Sequence, residues 1–165
     1  MSSSDRRTFV LGLAALPLAG CGFRPVYGPA GPAAGLMGQI AVDPAGTERG
    51  FALVGRLQER LGRAGAAAPY ALAVSVETES EGIAITTTNE IGRFNLAGVA
   101  RFALRDAARD VVLTEGTVEN FTSYSATGST VGTLAAERDA YDRLMRALAD
   151  QIVTRLLASA PDWRT

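Results

Sequence analysis

The chain has 165 residues, 47% of them apolar and 20% charged, and its formal net charge is −1. A balance so close to neutral leaves no basic excess to neutralise a nucleic-acid backbone, and that class of partner is set aside. There is no histidine, and all 16 basic residues are arginines, which removes His- and Lys-dependent nucleophilic catalysis, P-loop phosphate binding and Cys/His zinc sites together.

The first segment is a signal. Arg6-Arg7 precede an apolar run from Phe9 to Leu18, which is shorter than the roughly 20 residues needed to span a bilayer. The run ends in Leu18-Ala19-Gly20-Cys21, and Cys21 is the only cysteine. This looks like a lipobox: small residues at Ala19 and Gly20 enter a peptidase, and a thiol nucleophile comes next to carry diacylglycerol. At about 0.8 kcal/mol per buried CH₂, two or three acyl chains hold a protein on a membrane durably where one does not. Residues 1–20 therefore read as a lipoprotein-type signal peptide and Cys21 as the lipidated N-terminus of the mature chain. Asp5-Arg6-Arg7-Thr8-Phe9-Val10 also resembles the twin-arginine export motif, from which Asp5 and Val10 depart, so twin-arginine and general secretion both stay open. Gly22, where an Asp often retains bacterial lipoproteins in the inner membrane, favours the outer membrane.

Residues 21–35 hold Pro25, Pro29 and Pro32 among several glycines and read as an extended tether. Leu36–Val42 is a candidate strand, closed by Asp43-Pro44. Thr47 is placed to cap a helix with Glu48 in its first turn, and Phe51, Val54, Leu57 and Leu61 form an apolar stripe at helical spacing. Gly62 and Gly65 end that helix.

The middle of the chain is sheet. Tyr70, Leu72, Val74 and Val76 alternate with smaller or polar residues, a turn is expected at Glu79–Gly82, and the chain starts back at Ile83. Asn89–Gly92 reads as a bulge or loop. Phe94, Leu96, Ala100, Phe102 and Leu104 then alternate with Arg93, Asn95, Arg101 and Arg105. After a turn near Asp106–Asp110 a further strand runs from Val111 to about Tyr124. If Leu104 faces Val112, Arg101 falls opposite Glu115 and Phe102 opposite Thr114. From about Leu134 to Ala158, Leu134, Tyr141, Leu144, Met145, Leu148, Ile152 and Leu156 mark a long amphipathic helix, a core stripe and not a cofactor box. Residues 161–165 read as a tail in which an exposed Trp163 would serve as an interfacial anchor.

The expected fold is therefore α+β: a small, mostly antiparallel four-stranded sheet with two helices packed on one face, a single domain over residues 36–160. Carboxylates, Ser, Thr, Tyr and Arg are the residue types left for chemistry. Most acids fall on helix faces or beside turns, so the chain reads as a protein that binds and not as an enzyme, with neither cofactor nor metal. A two-carboxylate cell-wall hydrolase stays open on residue types alone.

The lipobox followed at once by Gly22-Phe23-Arg24-Pro25-Val26-Tyr27-Gly28, together with Leu148-Ala149-Asp150-Gln151-Ile152-Val153-Thr154-Arg155-Leu156, resembles the LptE family of lipopolysaccharide-assembly lipoproteins. The resemblance implies an outer-membrane lipoprotein on the periplasmic face that plugs and helps assemble the LptD β-barrel and contacts lipopolysaccharide. Arginines fork onto phosphate oxygens, so Arg93, Arg101 and Arg105, on one face of one strand, are the candidate lipopolysaccharide contacts. The alternative for them is pairing with Glu115 and Glu119 across the sheet. An auxiliary lipoprotein of a periplasmic lipid-transport system is the other reading of the whole chain.

Overall fold

Six-turn apolar periodicity at the C-terminal end and strand alternation in the middle set the architecture. The computed structural model describes residues 28, 31, 34–85, 91–126 and 129–164. Residues 1–34 form one unit, of which Gly28, Gly31 and Ala34 are described, linked by turn bonds from Gly31 N to Gly28 O (2.8 Å) and from Ala34 N to Gly31 O (3.0 Å). The signal peptide, Cys21 and residues 86–90, which include the start of the expected bulge or loop Asn89–Gly92, lie outside the described residues, while Ile91 and Gly92 open the third strand. Gly35–Thr165 is the second unit. Its elements are β1 (Ile40–Val42), α1 (Glu48–Leu61), β2 (Tyr70–Ile85), β3 (Ile91–Asp106), β4 (Val111–Ser125) and α2 (Thr130–Trp163).

The sheet order is β1-β2-β3-β4, with β1 parallel to β2 and the other pairs antiparallel. This is the α+β sheet with two helices that the alternation implied. Residues Leu72, Leu96, Ala100, Phe102, Leu104 and Val118 are buried beneath the helices, with Leu53, Leu57, Leu144, Leu148, Ile152 and Leu156 facing them. Polar residues alternate on the other side, so the sheet has one dry and one wet face.

α1 begins as its sequence dictates: the Thr47 side chain accepts from Gly50 N (3.1 Å), satisfying one of the orphan donors of a helix start. Its buried stripe is Leu53, Val54, Leu57 and Leu61, and Phe51, expected on that stripe, is 63% exposed. β1 is shorter than expected. Gly38, at φ +73°, turns the chain and donates from its N–H to Leu61 O (2.8 Å), closing the end of α1 before the strand can start.

β2 runs without interruption through Glu79–Gly82, where a turn was expected. Glu79 pairs with Ala97, Ser80 with Leu96, Glu81 with Asn95 and Gly82 with Phe94. Ser and Gly favour turns by local chemistry and Glu is poor in strands, and here cross-strand pairing with β3 outweighs both. The β3–β4 register also differs from the expected one: Leu104 faces Thr114, Phe102 faces Gly116 and Arg101 faces Thr117. Two causes add. The turn is a residue longer because Asp106 accepts from Ala108 N (2.9 Å) and Arg109 N (3.0 Å) while Asp110 takes φ 53°, and Leu113 bulges out between Val112 and Thr114.

α2 extends further than its periodicity suggested, over 34 residues from the Ser129 cap to Trp163. Leu134 at its start is 47% exposed. At its end Pro161 and Trp163, expected in a tail, continue the helix. Trp163 is buried to 8% exposure, sits edge-on to Tyr70 at 5.2 Å and donates from Nε1 to Ser159 Oγ (3.1 Å), so it is a core residue here and not an exposed anchor.

The helix crosses β3 over Gly98. A Cβ built there would stand 2.9 Å from Leu144 Cδ2 and 3.1 Å from Leu148 Cδ1. Gly98→Val is expected to lift α2 and lower stability by about 1–3 kcal/mol, read as a fall of several degrees in thermal unfolding followed by circular dichroism. An unchanged midpoint would show that the helix is not seated there.

Candidate functional site

Strand alternation sends the odd-numbered residues of β3 to the wet face. Arg93, Arg101 and Arg105 all lie there, with Arg101 about 13 Å from Arg105 and Arg93 about 26 Å beyond Arg101 at roughly 3.3 Å per residue. The structure thus lines the three arginines along one face without gathering them into a cluster.

Their partners differ from those expected. Arg101 Nη1 donates to Glu77 Oε1 of β2 (2.8 Å). Arg105 reaches Asp110 Oδ1 (3.2 Å) through Nη1 and Asp43 Oδ2 (3.5 Å) through Nη2. Arg93 Nη2 donates to Ser123 Oγ (2.8 Å), a neutral partner. Glu115 and Glu119 bond none of them in this structure, because the two-residue shift of register carries Glu115 to Ala103 and Glu119 to Val99. Exposed pairs such as Arg101–Glu77, 56% and 72% exposed, contribute about 0–1 kcal/mol, so these arginines remain available to an incoming anion at little cost.

Beside Arg101 the wet face is hollowed into a shallow groove of about 460 Å³ lined by Ala73, Ser75, Arg101, Ala103, Glu115 and Thr117. Small side chains make the hollow. One carboxylate, Glu115, borders it, where hydrolysis by paired acids needs two. The groove can hold a polar or phosphorylated group against Arg101. Among the described residues no cluster of three metal-ligating side chains is present.

The LptE family model, described as lipopolysaccharide-assembly, matches residues 37–156. The chain belongs to the LptE family. That match spans α1, all four strands and most of α2. Solved structures repeat the fold. A putative lipoprotein from Caulobacter crescentus is 22% identical with a TM-score of 0.66, covering 81% of this chain and 98% of its own. The rare lipoprotein B from Shewanella oneidensis is 11% identical with a TM-score of 0.55, covering 77% of this chain and 98% of its own. A minor lipoprotein from Acinetobacter baumannii is 19% identical with a TM-score of 0.56, covering 75% and 94%. No curated protein matches the chain. Membership of the LptE family supports a role in lipopolysaccharide assembly and the reading of the chain as a lipoprotein.

On the dry side, two seams that no sequence pattern announced hold the LptE-family body rigid. Asp150 of α2 accepts from Arg60 Nη1 (2.9 Å) and Arg56 Nε (3.3 Å) of α1. Hydrogen bonds to Glu59 and then Asp150 hold the Arg56 guanidinium above its ordinary pKa. Arg49 lies over the Tyr141 ring at 4.1 Å while its Nη1 bonds Thr78 Oγ1 (2.5 Å), tying α1, α2 and β2 at one point. Single-sequence reading misses both, since the partners lie 94 and 29 residues apart.

Tyr124 stacks on Phe94 at 5.2 Å and 14°. Burial pushes its hydroxyl above the ordinary value of 10.0; Glu137 and Tyr141 add to the rise and a hydrogen bond with Ser80 opposes it. The folded chain therefore keeps this proton where the unfolded chain has lost it. The linked stability is complete below the unfolded pKa near 10 and is lost as pH rises through the folded value. Tyr124→Phe is expected to flatten the alkaline fall in stability measured by denaturant unfolding across that range. A slope unchanged from the parent would remove Tyr124 as its source.

Proposed function

We propose that this LptE-family chain is a lipoprotein held by acylated Cys21 on the periplasmic face of the outer membrane, where it plugs and helps assemble an LptD-type β-barrel and contacts lipopolysaccharide. The observation that carries the reading is the family match over residues 37–156, joined in sequence to a lipobox that ends on the only cysteine. No helix among the described residues is long and apolar enough to cross a membrane, so in this reading anchorage falls to Cys21.

A plug needs rigidity and polar surface in place of reactivity. The lumen of an outer-membrane barrel is polar, and the wet sheet face, with its small residues and spaced arginines, suits such a wall. The 34-residue helix is about 51 Å long and lies along strands of similar length, enough to fill a wide lumen. Tethering to the leaflet raises the effective concentration of the body near the barrel.

Cys21→Ser is expected to abolish acylation and release the protein from membranes. Intact-mass measurement on the membrane and soluble fractions checks both, and a membrane-bound, unmodified Cys21→Ser protein would overturn the anchor. Co-purification from outer membranes in mild detergent should bring down a large barrel. Recovery of an inner-membrane transporter instead would favour the auxiliary lipid-transport reading.

The three arginines should not contribute equally to lipopolysaccharide binding. Arg105 is already neutralised by Asp43 and Asp110, whereas among the described residues Arg93 bonds the neutral Ser123. Arg93→Glu is expected to weaken binding to purified lipopolysaccharide about fivefold at low salt, the equivalent of roughly 1 kcal/mol, with the difference shrinking as salt rises. Arg105→Glu should do less. Unchanged binding in both variants would leave these arginines as sheet residues only.

A further inference from the structure

The two edges of the sheet are treated differently. Along β4 three outward backbone groups are already occupied by side chains: Thr117 O accepts from Arg155 Nη1 (2.7 Å), Ser123 O accepts from Arg143 Nη2 (3.3 Å), and Phe121 N–H donates to Asn120 Oδ1 (2.7 Å). Such capping denies the edge to an incoming strand.

Among the described residues β2 is paired on its outer side only at its start. Tyr70 N donates to Gln39 O (3.3 Å) and Leu72 O accepts from Asp43 N (2.9 Å), which shows that the even-numbered residues point their backbone groups outward. β1 stops at Val42, opposite Leu72. By the same alternation the N–H and C=O groups of Thr78, Ser80 and Gly82 face outward beyond it, and among the described residues none of them has a backbone partner on that side. Glu79 to Ile83 are all exposed.

We propose that the Thr78–Gly82 edge of β2 is a docking site for an extended polypeptide segment of a partner carrying arginine or lysine at alternate positions, which joins the sheet as an additional strand. Main-chain bonds to Thr78, Ser80 and Gly82 supply the affinity in this mode of recognition, and side chains select the partner. Glu79 and Glu81 do the selecting: they lie on one face at a spacing of two and have no ion-pair partner among the described residues, unlike Glu77, which holds Arg101. Alternate basic residues of an added strand come opposite them. Ile83, 53% exposed, adds an apolar contact at the far end. A second copy of the chain is the wrong occupant, because two such edges would set glutamates against glutamates. The inference stands apart from the barrel reading, since it concerns any basic extended segment and is tested on the isolated protein.

The probe is a synthetic peptide of about nine residues, the length of an ordinary strand, alternating arginine and valine. Its controls are the same peptide N-methylated at alternate amides and a version with glutamate for arginine. Hydrogen–deuterium exchange should show slowed exchange at Thr78, Ser80 and Gly82 on addition of the probe and no change along β4. Titration calorimetry should show binding weakened about tenfold by Glu79→Lys with Glu81→Lys, and lost on N-methylation at the amides facing β2. Glu81→Gln, nearly isosteric at an exposed position, repeats the test with a smaller loss should the double variant unfold. Equal binding of the N-methylated peptide, or protection at β4 or nowhere, would overturn the proposal and leave Glu79 and Glu81 as edge guards.

Discussion

The body of this protein depends on how closely α2 lies on β3. Gly98 has no side chain to hold the helix away, so Leu144 and Leu148 descend onto the sheet, and the stripe that follows, Ile152 and Leu156, is carried into the core with them. Close packing of this kind gains dispersion contacts that a raised helix would forfeit. The same contact orients the rest of the helix. Arg143 and Arg155 come beside the β4 edge, Asp150 comes beside α1, and Trp163 comes to rest on Tyr70.

A body fastened in this way presents a fixed surface. Its charged groups engage at the Asp150 seam between helices, in the Arg49 contact over Tyr141, and in the exposed pairs on the wet face. Each exposed pair is worth little alone, and Arg101 and Arg105 are the arginines of the wet face that such pairs engage among the described residues. Such a surface suits contact with polar walls and phosphate-bearing ligands, where charges already desolvated and fixed would be a hindrance.

The asymmetry of the sheet edges follows from the unequal lengths of its strands. β4 is long and lies under α2, so arginines of the helix reach its carbonyls. β2 is of similar length but is flanked by a three-residue β1. One edge is thereby sealed and the other is left open with glutamates along it.

Much of this was legible locally. The Thr47 cap, the Gly62 stop, the alternation of β3 and the stripe of α2 all follow from short-range rules, because capping, turn chemistry and periodicity act within a few residues. Phe51 misled because a single turn of helix allows two neighbouring stripes, and only the packing of α1, chiefly against α2, chose Leu53. The acidic stretch Glu79–Gly82 misled because Ser and Gly favour turns and Glu is poor in strands until a partner strand is beside them. The order of elements, the dry face and the absence of histidine and lysine chemistry were determined by the sequence alone. Register, the true partners of Arg93, Arg101 and Arg105, the burial of Trp163 and the open edge of β2 were decided by the tertiary structure, since each depends on which distant backbone arrives alongside, and the longer turn at Asp106–Asp110 together with the bulge at Leu113 moves the β3–β4 neighbours by two residues.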